Sequence, residues 1–328
     1  MNYPKELTST YEIYEQIGAG GGGPVYRAMH KRLQKIVVLK KLKGSATSIM
    51  DCRTEVDILK NLRHSYLPQV LDFIESPQGI FTVMDFIPGK SLQKMLEENY
   101  PFTEKEVLKY TKQLCDALNY LHSQNPPIIH GDIKPDNIMI TPEWNVCLID
   151  FNISGILEGQ GATTFGYTKG FAAPEQVEAF TKLREELQKR KTQSLQNSVP
   201  IESEGREQTI ILSPDERTVL LEENEKTVLL DETRNPEPVV KEESASSNSQ
   251  VKGITIDKRS DVYSLGATIY TLLTGKLRDP KDKDLVLTNV SSGFSVVLAK
   301  ALAHEPEKRY QDAGHMLQEV LTVHKKDK

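Results

Sequence analysis

The chain has 328 residues, 38% hydrophobic and 27% charged, with 41 basic against 46 acidic side chains and a formal net charge of −5. That is enough apolar material for a real core in one large domain or two smaller ones. No run of about 18 apolar residues occurs to span a membrane, and the mild acidity leaves no electrostatic footprint for nucleic acid. The start, MNYPKELTST, lacks a basic stretch followed by an apolar one, and Cys52, Cys115 and Cys147 are scattered without metal-ligand spacing, so a soluble cytosolic protein with reduced, buried thiols is expected.

Residues 1–10 are uninformative and are treated as an extension. Strand-like segments then follow to about residue 87: YEIYEQIG, PVYRAMH, KIVVLKKL, VLDFIES and GIFTVMDFI, rich in β-branched and aromatic residues and separated by turn formers. One helix interrupts them in SIMDCRTEVDILKNL, where Cys52, Val56 and Leu59 make one apolar stripe. Between the first two strands, Gly18, Gly20 and Gly23 fit G-x-G-x-x-G, with Val25 two residues on. Such a loop lets backbone N–H groups approach phosphate oxygens with no Cβ in the way. A glycine-rich hairpin turn is the plainer reading. However, strand–loop–strand context, rather than strand–loop–helix, favours the phosphate cover of phosphotransferases over a dinucleotide fingerprint.

The strand Val37-Val38-Leu39 ends in Lys40. Either Lys40 and Lys41 form a solvated strand end, or Lys40 points inward to the α- and β-phosphates, oriented by Glu55 on the following helix. After Gly89 the pattern turns helical. In TEKEVLKYTKQLCDALNYLHS, Tyr110, Leu114, Ala117 and Leu121 share one face, and Thr103 with Glu106 makes a capping box. Short strands are expected at NIMIT and NVCLIDF, and helices again from Asp257.

The most specific segment is IIHGDIKPDNIMI followed by CLIDFN. Here the sequence resembles the eukaryotic-type (Hanks-type) serine/threonine protein kinases. His130-Gly131-Asp132-Ile133-Lys134-Pro135-Asp136-Asn137 matches the family's H-R-D-x-K-x-x-N except at Gly131, and Asp150-Phe151-Asn152 matches D-F-G except at Asn152. Ala173-Pro174-Glu175 is its A-P-E, and Asp261-Val262-Tyr263-Ser264-Leu265-Gly266 resembles the start of its central helix. Arg309, in Pro306-Glu307-Lys308-Arg309, looks like the arginine that pairs with the A-P-E glutamate. The resemblance runs from about Tyr11 to Val323, apart from an insert. It implies an α+β, bilobal protein-kinase fold with a small β-rich N-lobe carrying one helix and a larger helical C-lobe. The boundaries implied are 11–87 for the N-lobe and 88–180 with 254–328 for the C-lobe.

The same resemblance implies the chemistry. Asp132 would orient the attacking hydroxyl and accept its proton, and Lys134 would neutralise the moving phosphoryl group. Asn137 and Asp150 would hold Mg²⁺ through hard oxygens, and Lys40 paired with Glu55 would grip ATP. Gly18, Gly20 and Gly23 would cover the phosphates, and Val25 and Val38 would sandwich the adenine. Met84 would lie behind the ring, with Asp85, Phe86 and Ile87 as the hydrogen-bonding hinge. Lys134 two residues after Asp132, with Thr168 to position the substrate hydroxyl, resembles the serine/threonine branch. His130 reads as a packing residue rather than a base. The HGD variant and short loops look like bacterial members.

Two departures matter. Gly131 removes the arginine that commonly meets an activation-loop phosphate, so activity independent of phosphorylation at Thr163 or Thr164 is expected. Asn152 replaces a glycine, a mild change because asparagine tolerates positive φ. Every charged group needed for transfer remains. The alternatives are a catalytically silent nucleotide-binding scaffold and a small-molecule kinase. The complete A-P-E and Thr168 segment, which shapes a peptide-binding surface, argues against the second.

Residues 181–253 read as the insert. A charged helical run from Thr181 fades into an acidic stretch, and Ile201–Gln250 holds 13 acidic residues against 5 basic and no aromatic. Such a segment cannot bury enough apolar surface to offset the entropy of ordering and is expected to be disordered. A nine-residue repeat lies within it. Thr209, Thr218 and Thr227 each carry an acidic residue at −2 and leucine at +3. Threonine with an aliphatic residue at +3 resembles the ligand of forkhead-associated domains, so autophosphorylation and docking of such a partner are expected. An edge-strand repeat or a plain acidic loop is the other reading.

Overall fold

The computed structural model describes residues 3–20, 23–41, 59–150, 168–197, 250–251, 254–279, 287–288 and 290–326. Glu55, Cys52, Asn152, Thr163, Thr164 and the insert threonines Thr209, Thr218 and Thr227 lie outside them, as does most of the predicted helix at 48–62.

The N-lobe is a five-stranded antiparallel sheet built from β1 (Tyr11–Gly20), β2 (Gly23–His30), β3 (Lys35–Lys41), β4 (Val70–Ser76) and β5 (Gly79–Asp85) in the order β1-β2-β3-β5-β4. Alternation along β3 buries Val37 and Leu39 with Ala28, Phe81 and Val83, and turns Val38 and Lys40 to the other, half-buried face. Described residues ahead of β1 contribute to the same core. Helix α1 (Lys5–Thr10) follows Pro4 and inserts the fully buried Leu7 into the same core beside Tyr11. Only one apolar side chain anchors this six-residue helix, so no periodic pattern announces it.

After β5 the chain crosses to the C-lobe through residues 86–89. A small sheet of β6 (Lys90–Ser91), β7 (Ile138–Ile140) and β8 (Val146–Leu148) lies there, with β7 central. Helix α2 (Leu92–Glu97) leads to α3 (Glu104–His122), whose start carries the predicted reciprocal cap: Glu106 N–H donates to Thr103 Oγ1 at 3.3 Å, and Thr103 N–H to Glu106 Oε2 at 2.9 Å. The stripe Tyr110, Leu114, Ala117 and Leu121 is buried as its spacing requires. Helix α4 (Pro174–Asn197), α5 (Lys258–Thr274), α6 (Ser292–Ala301) and α7 (Ala313–Lys326) complete the lobe. Helix α5 is buried on nearly all sides, and its Val262, Leu265 and Ile269 join Leu118, Leu298, Met316 and Val320 in the main core. Cys115 and Cys147 are buried free thiols, and burial pushes Cys147 up to about 12 and Cys115 higher still. Among the described residues no helix is long and apolar enough to cross a membrane.

Described structure borders the 181–253 segment at both ends. Helix α4 begins at Pro174 and runs through position 181 to Asn197, because no glycine or proline intervenes after Pro174 to stop it. At the far end, β9 (Gln250–Val251) pairs antiparallel with β10 (Ile254–Thr255).

Gly89 sits at φ 130°, a region left to glycine, where the crossing chain lies against β7. A Cβ there would fall 1.9 Å from the Ile140 carbonyl oxygen. Gly89→Ala should therefore cost about 3 kcal/mol, measured as a lowered urea midpoint at unchanged m-value.

Candidate active site

The loop between α3 and β7 carries Asp132, and its carboxylate is met from three sides. Oδ1 accepts from Thr168 Oγ1 at 2.8 Å, and Oδ2 accepts from Lys134 Nζ at 2.8 Å and Asn137 Nδ2 at 3.1 Å. Lys134 Nζ also donates to Thr168 Oγ1 at 2.8 Å, closing a triangle of carboxylate, ammonium and hydroxyl. Only 13% of the Asp132 side chain and 14% of the Lys134 side chain is exposed, so the pair interacts with little screening by water. Asn137 ends the short 3₁₀ turn Pro135–Asn137, and its Nδ2 also donates to the Asp132 carbonyl at 2.8 Å. Its amide nitrogen is thus committed to Asp132, leaving the amide oxygen as the hard donor.

This loop is held from below by Asp261 in the first turn of α5. Its Oδ2 accepts from His130 N–H at 2.8 Å and pairs with His122 Nε2 at 2.9 Å, and its Oδ1 accepts from Gly131 N–H at 2.9 Å. Burial by itself would raise this carboxyl. The His122 hydrogen bond, the electrostatic pull of the His122 and His130 rings and the Gly131 N–H outweigh it and hold it below the usual carboxylate range. His122 Nδ1 accepts from Ala313 N–H at 3.4 Å, so Nε2 is the atom that donates to Asp261. His130 is fully buried; its Nδ1 accepts from Asp132 N–H at 3.3 Å and its Nε2 donates to the Ile149 carbonyl at 3.1 Å. One ring nitrogen thus serves the loop backbone and the other the segment that follows β8.

Lys40 Nζ pairs with Asp150 Oδ1, while its expected partner Glu55 lies outside the described residues. Asp150 has φ 65° and keeps 43% of its side chain exposed. Ile149 N–H donates to the Asn137 carbonyl at 2.8 Å, so Lys40, Asp150, Asn137 and Asp132 lie along one continuous path of contacts. On the sheet above, Val25 lies opposite Lys40 and Gly18, and Val38 opposite Met84, which places Val25, Val38, Met84 and Lys40 on one half-buried face. Gly20 and Gly23 face each other at the hairpin end, Gly23 with φ 113°. Asp85 ends β5; its N–H donates to the Gln69 carbonyl at 3.0 Å and its carboxylate takes Lys35 Nζ at 2.7 Å. Ile87 lies beyond the strand end.

A second buried ion pair ties the segment after Thr168 to the C-lobe. Arg309 reaches Glu175 through two parallel bonds of 2.7 and 2.8 Å, and its remaining donors go to the carbonyls of Ala303, Arg259 and His304. All five guanidinium N–H groups are satisfied, the condition under which such a pair can be buried. Ser260, one residue before Asp261, donates to Glu175 Oε1 at 2.7 Å. The sequence pattern pointed to the Arg309–Glu175 pair but missed Asp261, His122 and Ser260 as supports. The Ser-Asp pair that leads directly into the apolar run VYSLGATIY was the available signal.

A glycine-ended five-stranded sheet above a helical lobe, with Lys40, Asp150, Asn137 and Asp132 linked across the junction, is the architecture of a bilobal phosphotransferase. Comparison with known families makes this specific: residues 11–190 match the protein kinase domain, and the chain belongs to that family. Relatives include the serine/threonine-protein kinase PknB of Mycobacterium tuberculosis, 26% identical over 348 aligned residues that cover 99% of this chain and 44% of PknB. A probable serine/threonine-protein kinase of Clostridium acetobutylicum is 23% identical over 339 residues, covering 97% of this chain and 40% of that protein. The smooth-muscle myosin light chain kinase of Gallus gallus is 33% identical over 183 residues, 54% of this chain and 9% of that protein. The chain thus spans less than half the length of each of these relatives.

The lowered Asp261 carboxyl gives a signed pH prediction. Its contribution to stability is complete above the ordinary carboxylate range and is lost as pH falls through about 4 toward the lower folded value. Urea unfolding should separate the unmutated protein from Asp261→Asn by the same margin at pH 6 and 7. That margin should shrink steadily below about pH 4.

Proposed function

We propose that the chain is an ATP- and Mg²⁺-dependent protein kinase acting on serine and threonine hydroxyls, at a cytosolic site. The observation that carries this reading is the Asp132–Lys134–Thr168 triangle, in which a carboxylate is held ready beside an ammonium and a threonine hydroxyl. Asp132 would orient the substrate hydroxyl and take its proton, and Thr168 marks where that hydroxyl belongs. Lys134 would offset the charge developing on the transferred group. Gly18, Gly20 and Gly23 would lie over the phosphates and Lys40, with Glu55, would hold them. Val25, Val38 and Met84 would enclose the adenine, with main-chain groups of Asp85 and Ile87 as its hydrogen-bonding edge.

The donor set suits magnesium. The half-exposed Asp150 carboxylate and the Asn137 amide oxygen are hard ligands, and Mg²⁺ is usually held by one or two protein oxygens together with substrate phosphates. When bound there, the ion would supply charge neutralisation at the phosphates.

Autophosphorylation at Thr209, Thr218 and Thr227, creating sites for a forkhead-associated partner, is the finer part of the proposal. It rests on the repeat alone. The rival reading, a silent nucleotide-binding scaffold, is favoured only by Gly131 and Asn152.

Phosphosite mapping after incubation with Mg²⁺ and ATP tests both levels. The unmutated protein should gain phosphate on the insert threonines, while Asp132→Asn should gain none. A Thr163→Ala/Thr164→Ala double variant should keep peptide turnover within about twofold, since Gly131 offers no guanidinium to an activation-loop phosphate. Binding of ATP with no transfer by the unmutated protein would establish the scaffold instead. Peptide turnover with the insert threonines unmodified would remove only the docking proposal.

A further inference from the structure

Gly131 occupies the position before Asp132 with φ 76°, a left-handed conformation that glycine adopts without penalty. A Cβ there would meet nothing within 4 Å, so conformation rather than space favours glycine. While its N–H is taken by Asp261, its carbonyl accepts a hydrogen bond from Gln176 Nε2 at 2.9 Å. The other end of the same amide, Gln176 Oε1, accepts from Ala173 N–H at 2.9 Å. This orientation alone gives the carbonyl a donor and the N–H an acceptor, so the two ends of the amide are assigned by their partners.

Gln176 is only 5% exposed and follows Glu175, whose carboxylate is clamped by Arg309 and Ser260. Its backbone is therefore anchored in the C-lobe, and its side chain reaches the peptide joining Gly131 to Asp132. That peptide is gripped at both ends, since its carbonyl meets Gln176 and its N–H, that of Asp132, meets His130 Nδ1. Orienting this peptide plane orients the Cα–Cβ bond of Asp132 and hence the carboxylate.

We infer that Gln176 is a positioning residue, fixing the peptide before Asp132 and linking the catalytic loop to the anchored Ala173–Glu175 turn through a neutral amide. The link needs no charge and no phosphate, which suits a loop whose arginine position is glycine. The turnover half of this inference rests on the proposed kinase function; the positional half does not.

Two variants and two readouts test it. Gln176→Leu keeps the bulk and removes both hydrogen bonds. Gln176→Glu can still accept from Ala173, but as a carboxylate it opposes the Gly131 carbonyl, and only when protonated does it donate to it. In Gln176→Leu, amide exchange of the 129–137 segment should quicken while that of Glu104–His122 stays as in the unmutated protein. The kcat for a peptide substrate should fall about tenfold to a hundredfold, with KM for ATP within about twofold. Burial beside the Gly131 carbonyl should raise the introduced carboxyl above the ordinary range, so for Gln176→Glu kcat relative to the unmutated protein should rise several-fold as pH is lowered from about 8 to about 5. A residue that only filled space would show no such pH dependence. Unchanged loop exchange in Gln176→Leu, or a flat pH ratio in an active Gln176→Glu, would overturn the inference. If Gln176→Leu fails to fold, Gln176→Glu decides by loop exchange and pH ratio. If the unmutated protein transfers no phosphate, the kinase reading fails and loop exchange alone decides the role of Gln176.

Discussion

A single buried carboxylate, that of Asp261, determines where the loop that bears Asp132 lies. An unpaired charge at that depth would be prohibitive, so it must collect hydrogen bonds. It draws them from the backbone N–H groups of His130 and Gly131 and from His122. The loop is thereby fastened to α5, the most deeply buried helix of the C-lobe, one residue from the side chain that reaches the A-P-E glutamate. Ser260 and Asp261 are neighbours in sequence but serve two segments, Glu175 on one side and the catalytic loop on the other. Rigidity in the helix is passed to both without an intervening flexible element.

The two buried ionic centres divide the work. The Arg309–Glu175 pair uses every donor of the guanidinium and lies beside the Tyr263 ring, with 4.9 Å from the guanidinium carbon to the ring centroid. It fixes the start of α4 in space. The Asp261 centre fixes the loop that bears Asp132. Gln176 lies between them and touches both segments. Site geometry in this lobe is therefore set by groups that never face the cleft, and a survey of cleft residues alone would miss them.

Most of the architecture was legible in the sequence because it is written in local patterns. The strand alternation of KIVVLKK, the Thr103–Glu106 cap and the apolar stripe of α3 each follow from a few adjacent residues and match what is found. The catalytic-loop, A-P-E and P-x-x-R motifs were equally plain. What escaped was of two kinds. Helix α1 has one anchoring leucine and no period, and the start of α4 at Pro174 lies ahead of the charged run from Thr181 that reads as helical. The second kind was pairing across long separations. His122 with Asp261 and Gly131 with Gln176 are joined only by the tertiary fold, and no spacing rule connects residues so far apart. A polar Asp in an apolar helix hinted at a buried partner but not at which one.

The close approach of Gly89 to β7 has a consequence for movement. From Gly89 onward the chain is pinned: its Cα lies too near the Ile140 carbonyl for a side chain, and Lys90 and Ser91 pair at once with Ile140 and Met139. On the other side, Asp85 is tied into β5 and to Gln69. Along this crossing, rotation between the two lobes is left to Phe86, Ile87 and Pro88, and proline fixes one of those torsions. The pivot is three residues long, and the same three residues flank the edge against which adenine is proposed to rest. Opening the cleft and reshaping the proposed nucleotide seat are therefore one motion rather than two.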